Sequence, residues 1–175
     1  MKAEFSSQKS DFQKLAFVAL GSNLGNSRKI ILAVMARLQA FSEEPILKSP
    51  LWQTSPVDCP PDAQKFVNAV AGFAPRAGET PESLLKELRE LEKEYGRVPK
   101  KVLNEPRPLD LDLIAFGGKI RNSPELTLPH PRAHLRRFVL QPLSEIAPDL
   151  ILPRQGKTVA QLLAGLPADE TVTRI

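Results

Sequence analysis

The segment Leu109-Asp110-Leu111-Asp112-Leu113 sets two carboxylates two residues apart in an alternating apolar run. In a strand alternate side chains share a face, so the leucines point into a core while Asp110 and Asp112 emerge together on the other side, about 7 Å apart at Cα. Two acids on one rigid ledge repel each other unless a cation lies between them. Their hard oxygens suit Mg²⁺, which takes one or two carboxylates and completes its shell with substrate phosphates. An amphipathic strand with a solvated acidic face gives the same pattern, and spacing alone slightly favours it.

The neighbourhood shifts that balance. Arg97, Lys100, Lys101 and Arg107 precede the acidic pair, and Arg107 is three residues from Asp110. Salt bridging explains such a mixture, but metal carboxylates beside guanidinium groups are also what a polyphosphate requires. His130, Arg132, His134, Arg136 and Arg137 form a second basic cluster in a proline-framed loop, where basic side chains are usually only solvated. Phe66, Asn68 and Phe138 fit either core packing with an exposed amide or a sandwich around a flat heterocycle whose edge Asn68 reads; spacing alone favours the first. The segment Gly21-Ser-Asn-Leu-Gly25 lacks the glycine spacing of a dinucleotide fingerprint, and no GxxxxGK[ST] occurs. It reads as a tight turn, so any nucleotide is bound without a phosphate-cradling glycine loop.

Several elements must position these residues. Leu15 to Leu20 form a short strand ending at Gly21, and Asn26 or Ser27 caps a helix with Ile30, Val34 and Leu38 on one stripe. The run ILKSPLWQTS reads as one strand, SPVDCPPDAQ as a rigid loop and FVNAVAGFA as another strand. Thr80 and Pro81 start a helix bearing Leu84, Leu88, Leu91 and Tyr95 on one face, and Gly96 stops it. The proline-punctuated stretch from Pro124 to Leu150 is expected to wind over the surface, and Thr158 to cap a last helix, Val159 to Leu166.

The 175 residues suit one domain, here 15–175, with a polar, flexible extension over 1–14. With 42% apolar and 25% charged residues, disorder and disulfide scaffolds are excluded. A net charge of +4 favours anionic partners without choosing among them. The 17 prolines against 9 glycines predict stiff loops rather than flexible linkers. A single cysteine, Cys59, closes no internal disulfide, and no run could cross a bilayer, so a cytoplasmic location is expected.

Six pieces occur in order, ALGSNLG, WQTSP followed by FVN, a GRV turn, PRPLDLDLIAFG, LTLPHPR and RRFVLQPLSEIAP, within a match that runs from about Ala16 to Leu166. Together they resemble the 6-hydroxymethyl-7,8-dihydropterin pyrophosphokinase family of folate biosynthesis. The resemblance implies an α+β fold of ferredoxin-like character, an antiparallel sheet with packed helices in a single domain. It also implies transfer of the terminal pyrophosphoryl unit of ATP to the pterin hydroxymethyl oxygen, giving AMP. Asp110 and Asp112 look like ligands of two Mg²⁺ ions. Phe66 and Phe138 look like the pterin-stacking pair and Asn68 like its edge reader, with the backbone around Thr54, Ser55 and Val57 completing the pocket. Arg97 and Arg107 look like catalytic, triphosphate-contacting arginines. His130 and Arg136 look like further ATP contacts, and Leu113 and Thr127 look like neighbours of the adenosine. The chain departs from the family pattern at Pro99, Asn104 and Asp58. A monomer acting on small molecules, without nucleic acid or membrane, is expected.

Two other classes fit parts of the sequence. A metal-dependent phosphohydrolase or nuclease also uses paired acids near lysines. A non-catalytic nucleic-acid-binding domain would use the basic loops, but one Trp and one Tyr make a poor base-stacking surface.

Overall fold

The computed structural model describes residues 12–55, 64–99, 105–168 and 171–175. Val57, Asp58, Cys59, Lys100, Lys101 and Asn104 lie outside the described residues. The chain runs β1 (Ala16–Ser22), α1 (Ser27–Leu38), β2 (Leu47–Lys48), β3 (Trp52–Thr54), β4 (Phe66–Phe73), α2 (Pro81–Glu94), β5 (Asp110–Phe116), β6 (Arg121–Asn122), β7 (Thr127–Leu128), α3 (Arg137–Ile146), α4 (Val159–Ala164) and β8 (Val172–Arg174). The main sheet is antiparallel in the order β5-β1-β4-β3-β8, with β2 also on β4. β6 and β7 form a separate ribbon.

Strand alternation sends two sets of side chains to two faces. On one, Val18, Leu20, Leu111 and Leu113 pack with Ile31, Val34 and Leu38 of α1 and Leu84, Leu88 and Leu91 of α2. On the other, Phe17, Val70 and Ile114 pack with Val139, Leu140 and Leu143 of α3 and Val159 of α4. The leucines of the Leu109–Leu113 segment are therefore core and its aspartates share the opposite face. Phe12 packs against the α3 side, and Gln13 Nε2 donates to the Ile151 carbonyl at 3.2 Å.

Helix starts follow their capping residues. Asn26 accepts from Lys29 N at the head of α1, and Thr80 forms a reciprocal capping box with Ser83 on α2. Thr158 does the same with Gln161 on α4. Gly96, at φ +88°, follows α2 in the left-handed conformation that ends helices.

Two expectations are corrected. The ILKSPLWQTS stretch is two short strands rather than one, because Ser49 Oγ takes the Val70 N–H at 2.8 Å in place of a regular ladder and Pro50 has no donor to offer. Within the proline-punctuated stretch, Arg137–Ile146 is a helix with Pro142 inside it rather than surface coil. An interior proline costs about 3 kcal/mol, whereas burying Val139, Leu140 and Leu143 stabilises by about 1.5–3 kcal/mol each, so the apolar face wins.

Candidate active site

A single row across the sheet brings the expected site residues together. In register, Asp110 of β5 stands opposite Gly21 of β1, Gly21 opposite Asn68 of β4, and Asn68 opposite Trp52 of β3. Residues paired this way present side chains on one face, here the α3 side. Gly21 leaves a gap between the acid and the amide: a Cβ there would lie 3.3 Å from Asn68 Oδ1 and 4.0 Å from Phe66 Cδ1. Asn68 is buried and donates from Nδ2 to Thr54 Oγ1 at 2.9 Å, which fixes the plane of its amide.

At the β5 end of this row, Arg97 Nη1 donates to Asp110 Oδ1 at 2.6 Å and to the Leu109 carbonyl at 3.2 Å. Arg107 Nη1 lies 3.5 Å from Asp110 Oδ2, and its guanidinium carbon is 5.8 Å from the centre of the Phe66 ring. Arg107 Nε is buried and without a partner among the described residues. Asp112, one step along the same face, has its carboxyl pushed up to about 6 by burial and then by the charge of Asp110. The Arg136 charge works in the opposite direction, and its guanidinium carbon stands 5.4 Å from the centre of the Phe138 ring. Both aromatic rings thus have an arginine at hand.

Burial, then the charges of Arg136 and Arg132, push His130 down to about 4, so it is neutral near pH 7. Its Nδ1 accepts the Arg132 backbone N–H at 3.1 Å, which leaves the ring proton on Nε2 as a donor. Thr127 sits exposed on β7. Ser55 is exposed at the end of β3. Leu113 stands apart: its side chain is buried on the α1/α2 face, away from both aspartates.

Two positions were not singled out from the sequence. Glu92 of α2 is buried, accepts the Leu111 N–H of the edge strand at 2.8 Å, and faces Arg97 Nη1 at 3.5 Å. Asn23 binds the backbone of Arg107 through two hydrogen bonds. Glu92 follows Leu88 by four residues and borders the buried stripe of α2, a helical spacing that could have signalled it, but only the packing of α2 on β5 shows its partners.

Two half-buried carboxylates on one face, one of them resisting ionisation through burial and then through the charge of the other, fit a divalent cation held partly by oxygens from a substrate. Among the described residues no group of three His, Cys, Asp or Glu side chains is placed to hold a metal alone.

Residues 17–148 match the family model described as 7,8-dihydro-6-hydroxymethylpterin-pyrophosphokinase (HPPK). The chain belongs to the HPPK family. It is 40% identical over 152 residues to the 2-amino-4-hydroxy-6-hydroxymethyldihydropteridine pyrophosphokinase of Pseudomonas aeruginosa, covering 86% of this chain and 91% of that protein. It is 39% identical to the folic acid synthesis protein fol1 of Pneumocystis carinii, where the match covers 88% of this chain but 20% of that protein. A Plasmodium falciparum HPPK-DHPS crystal structure superposes with a TM-score of 0.63 at 14% identity, over 86% of this chain and 42% of that one. At that identity the likeness shows the HPPK fold alone. Among the described residues no helix is long and apolar enough to cross a membrane.

Proposed function

We propose that the chain transfers the terminal pyrophosphoryl unit of ATP to the hydroxymethyl oxygen of 6-hydroxymethyl-7,8-dihydropterin, releasing AMP. HPPK family membership supports this over a phosphohydrolase, a nuclease or a nucleic-acid-binding module. The observation that carries it is the row Asp110–Gly21–Asn68: it joins a carboxylate end bracketed by arginines to an amide end flanked by Phe66, which are the needs of a triphosphate and of a flat polar heterocycle.

Phe66 and Phe138 would stack on the pterin, and Asn68, its plane set by Thr54, would pair with the ring edge through Oδ1, with the chain around Ser55 and Val57 closing that side. Arg97, Arg107 and Arg136 would take phosphate oxygens, Nε2 of His130 would donate one further hydrogen bond, and Thr127 would border the adenosine. Asp110 and Asp112 would hold Mg²⁺, two ions in the fullest form of the reading, whose chemistry there is to neutralise the triphosphate. With the cation bound, neither aspartate is a useful base, so the protein's contribution is positioning and electrostatics, with arginines in this role worth about 10³-fold or more in other phosphoryl transfers.

The strand sequence β1-α1-β3-β4-α2-β5 with sheet order β5-β1-β4-β3 supports the ferredoxin-like character of the core. The lone cysteine supports the cytoplasm.

Incubation with Mg-ATP, with and without hydroxymethyldihydropterin, tests the reading. AMP formed only with pterin, and lost in both Asp110→Ala and Asp112→Ala, is expected. Phosphate release independent of pterin would overturn it.

A further inference from the structure

We infer that Asn23 is a positioning residue that sets Arg107 between the triphosphate and pterin ends of the site. The ladder between β1 and β5 ends at the Gly21–Asp110 pair. Beyond it, Asn23 N donates to the Arg107 carbonyl at 3.1 Å and Arg107 N donates to Asn23 Oδ1 at 2.9 Å. The two residues grip each other as a ladder pair would, with a side-chain oxygen in the place of the backbone carbonyl. A short side chain with an acceptor on its γ-carbon is required for that geometry. Gln is too long, and an aliphatic residue offers nothing.

The residues around Arg107 make this grip decisive. Pro106 and Pro108 have no N–H, so the Arg107 amide is the only backbone donor in the triplet, and it goes to Asn23. A residue before proline is confined to extended conformations, so the backbone angles of Arg107 are already narrowed. What remains free is where the triplet lies relative to the sheet, and Asn23 fixes that. From this anchor the guanidinium reaches both Asp110 Oδ2, at 3.5 Å, and the Phe66 ring, at 5.8 Å.

Asn23 is 1% exposed, and its Nδ2 has no partner among the described residues. Leaving a buried amide donor unpaired is unfavourable, so stability alone would not select this residue; the Oδ1 grip on Arg107 accounts for it. The same turn is tied to the pterin side as well. Gln64 Nε2 donates to the Gly25 carbonyl and to Ser27 Oγ, each at 3.0 Å, two residues before Phe66. Asn23 therefore holds Arg107 in the frame that also carries Phe66.

The inference rests on the pyrophosphokinase reading, and a double-mutant cycle on the full chain separates the two. With Mg-ATP and hydroxymethyldihydropterin as substrates, Asn23→Ala is expected to lower kcat by on the order of 10²-fold, the effect of misplacing a catalytic group by about 1 Å. In an Arg107→Ala background the same change should lower kcat less than about threefold, while its loss of thermal stability persists in both backgrounds. Full kcat in Asn23→Ala, or a loss that multiplies undiminished with Arg107→Ala, would overturn the inference. Should Asn23→Ala not fold, Asn23→Asp, which keeps the acceptor oxygen, enters the same cycle. A kcat within about tenfold of the parent supports the inference, and a larger loss that persists in Arg107→Ala overturns it. If the pyrophosphokinase reading itself fails, the parent chain forms no pterin-dependent AMP.

Discussion

Replacing Asp112 by asparagine should make the protein more stable and inactive. Burial and the charge of Asp110 push the Asp112 carboxyl up to about 6, so the folded chain binds this proton more tightly than the unfolded chain does. The stabilisation from that proton is complete below about pH 4 and is lost as pH rises through 6. Two units above the ordinary aspartate value, at about 1.4 kcal/mol each, leave a penalty of up to about 3 kcal/mol at pH 7.5. The amide keeps the shape of the carboxyl and has no charge to bury. For a chain of this size that ceiling corresponds to roughly 6–12 °C in Tm, and water at the half-buried carboxyl moves the expected rise to the lower end. Thermal unfolding in EDTA, at half-unit steps from pH 4 to 8, reads it directly. The gain of Asp112→Asn over the parent should be largest above pH 7 and shrink towards zero near pH 4, and pterin-dependent AMP formation should be lost. A Tm at pH 7.5 equal to or below the parent's, or a difference that does not vary with pH, refutes the reasoning.

Three further outcomes are expected. Gly21→Ala puts a methyl 3.3 Å from Asn68 Oδ1, the atom proposed to meet the pterin edge, and calorimetric titration should show pterin affinity falling about tenfold or more, with the fold retained by circular dichroism. His130 has the opposite sign to Asp112: its folded value of about 4 lies below the ordinary histidine value of about 6.5, so its contribution is full above pH 6.5 and lost as pH falls to 4. His130→Gln should therefore flatten the acid limb of the stability profile measured by urea unfolding. Glu92→Ala leaves the Leu111 N–H without its 2.8 Å acceptor and removes the longest of the three contacts of Arg97, and should destabilise by about 1–3 kcal/mol in urea unfolding, with a larger loss in kcat than in pterin affinity.

Much of the candidate site's geometry was legible in sequence because it is local. Asp110 and Asp112 share a face by strand alternation, and Asn26, Thr80 and Thr158 cap helices by chemistry within three residues. Arg107 and Asp110, three residues apart, are an ion pair in the fold. What was not legible depends on partners far along the chain. Glu92 and Leu111 are 19 residues apart and Asn23 and Arg107 are 84 apart, and nothing in either pair's neighbourhood announces the other. The α3 helix was hidden because Pro142 is a strong local signal for coil, and only the burial of its apolar face on the sheet overrides it. Leu113 lay close to the aspartates in sequence, yet the alternation that brings them together sends its side chain to the opposite face.

On the proposed function, the bracketing of Asp110 by Arg97 at 2.6 Å and Arg107 at 3.5 Å would give nucleotide binding the character of ion exchange. On that reading, an arriving triphosphate with its cation would find each charge already matched: the arginines would turn from carboxylate to phosphate, and Asp110 would turn to the cation. Ion pairs are swapped rather than created, and few small ions are released to bulk solvent. The affinity for Mg-ATP should then decline with added salt along a shallower slope than the number of arginines around the site suggests, and the protein should hold its nucleotide across wide swings in ionic strength.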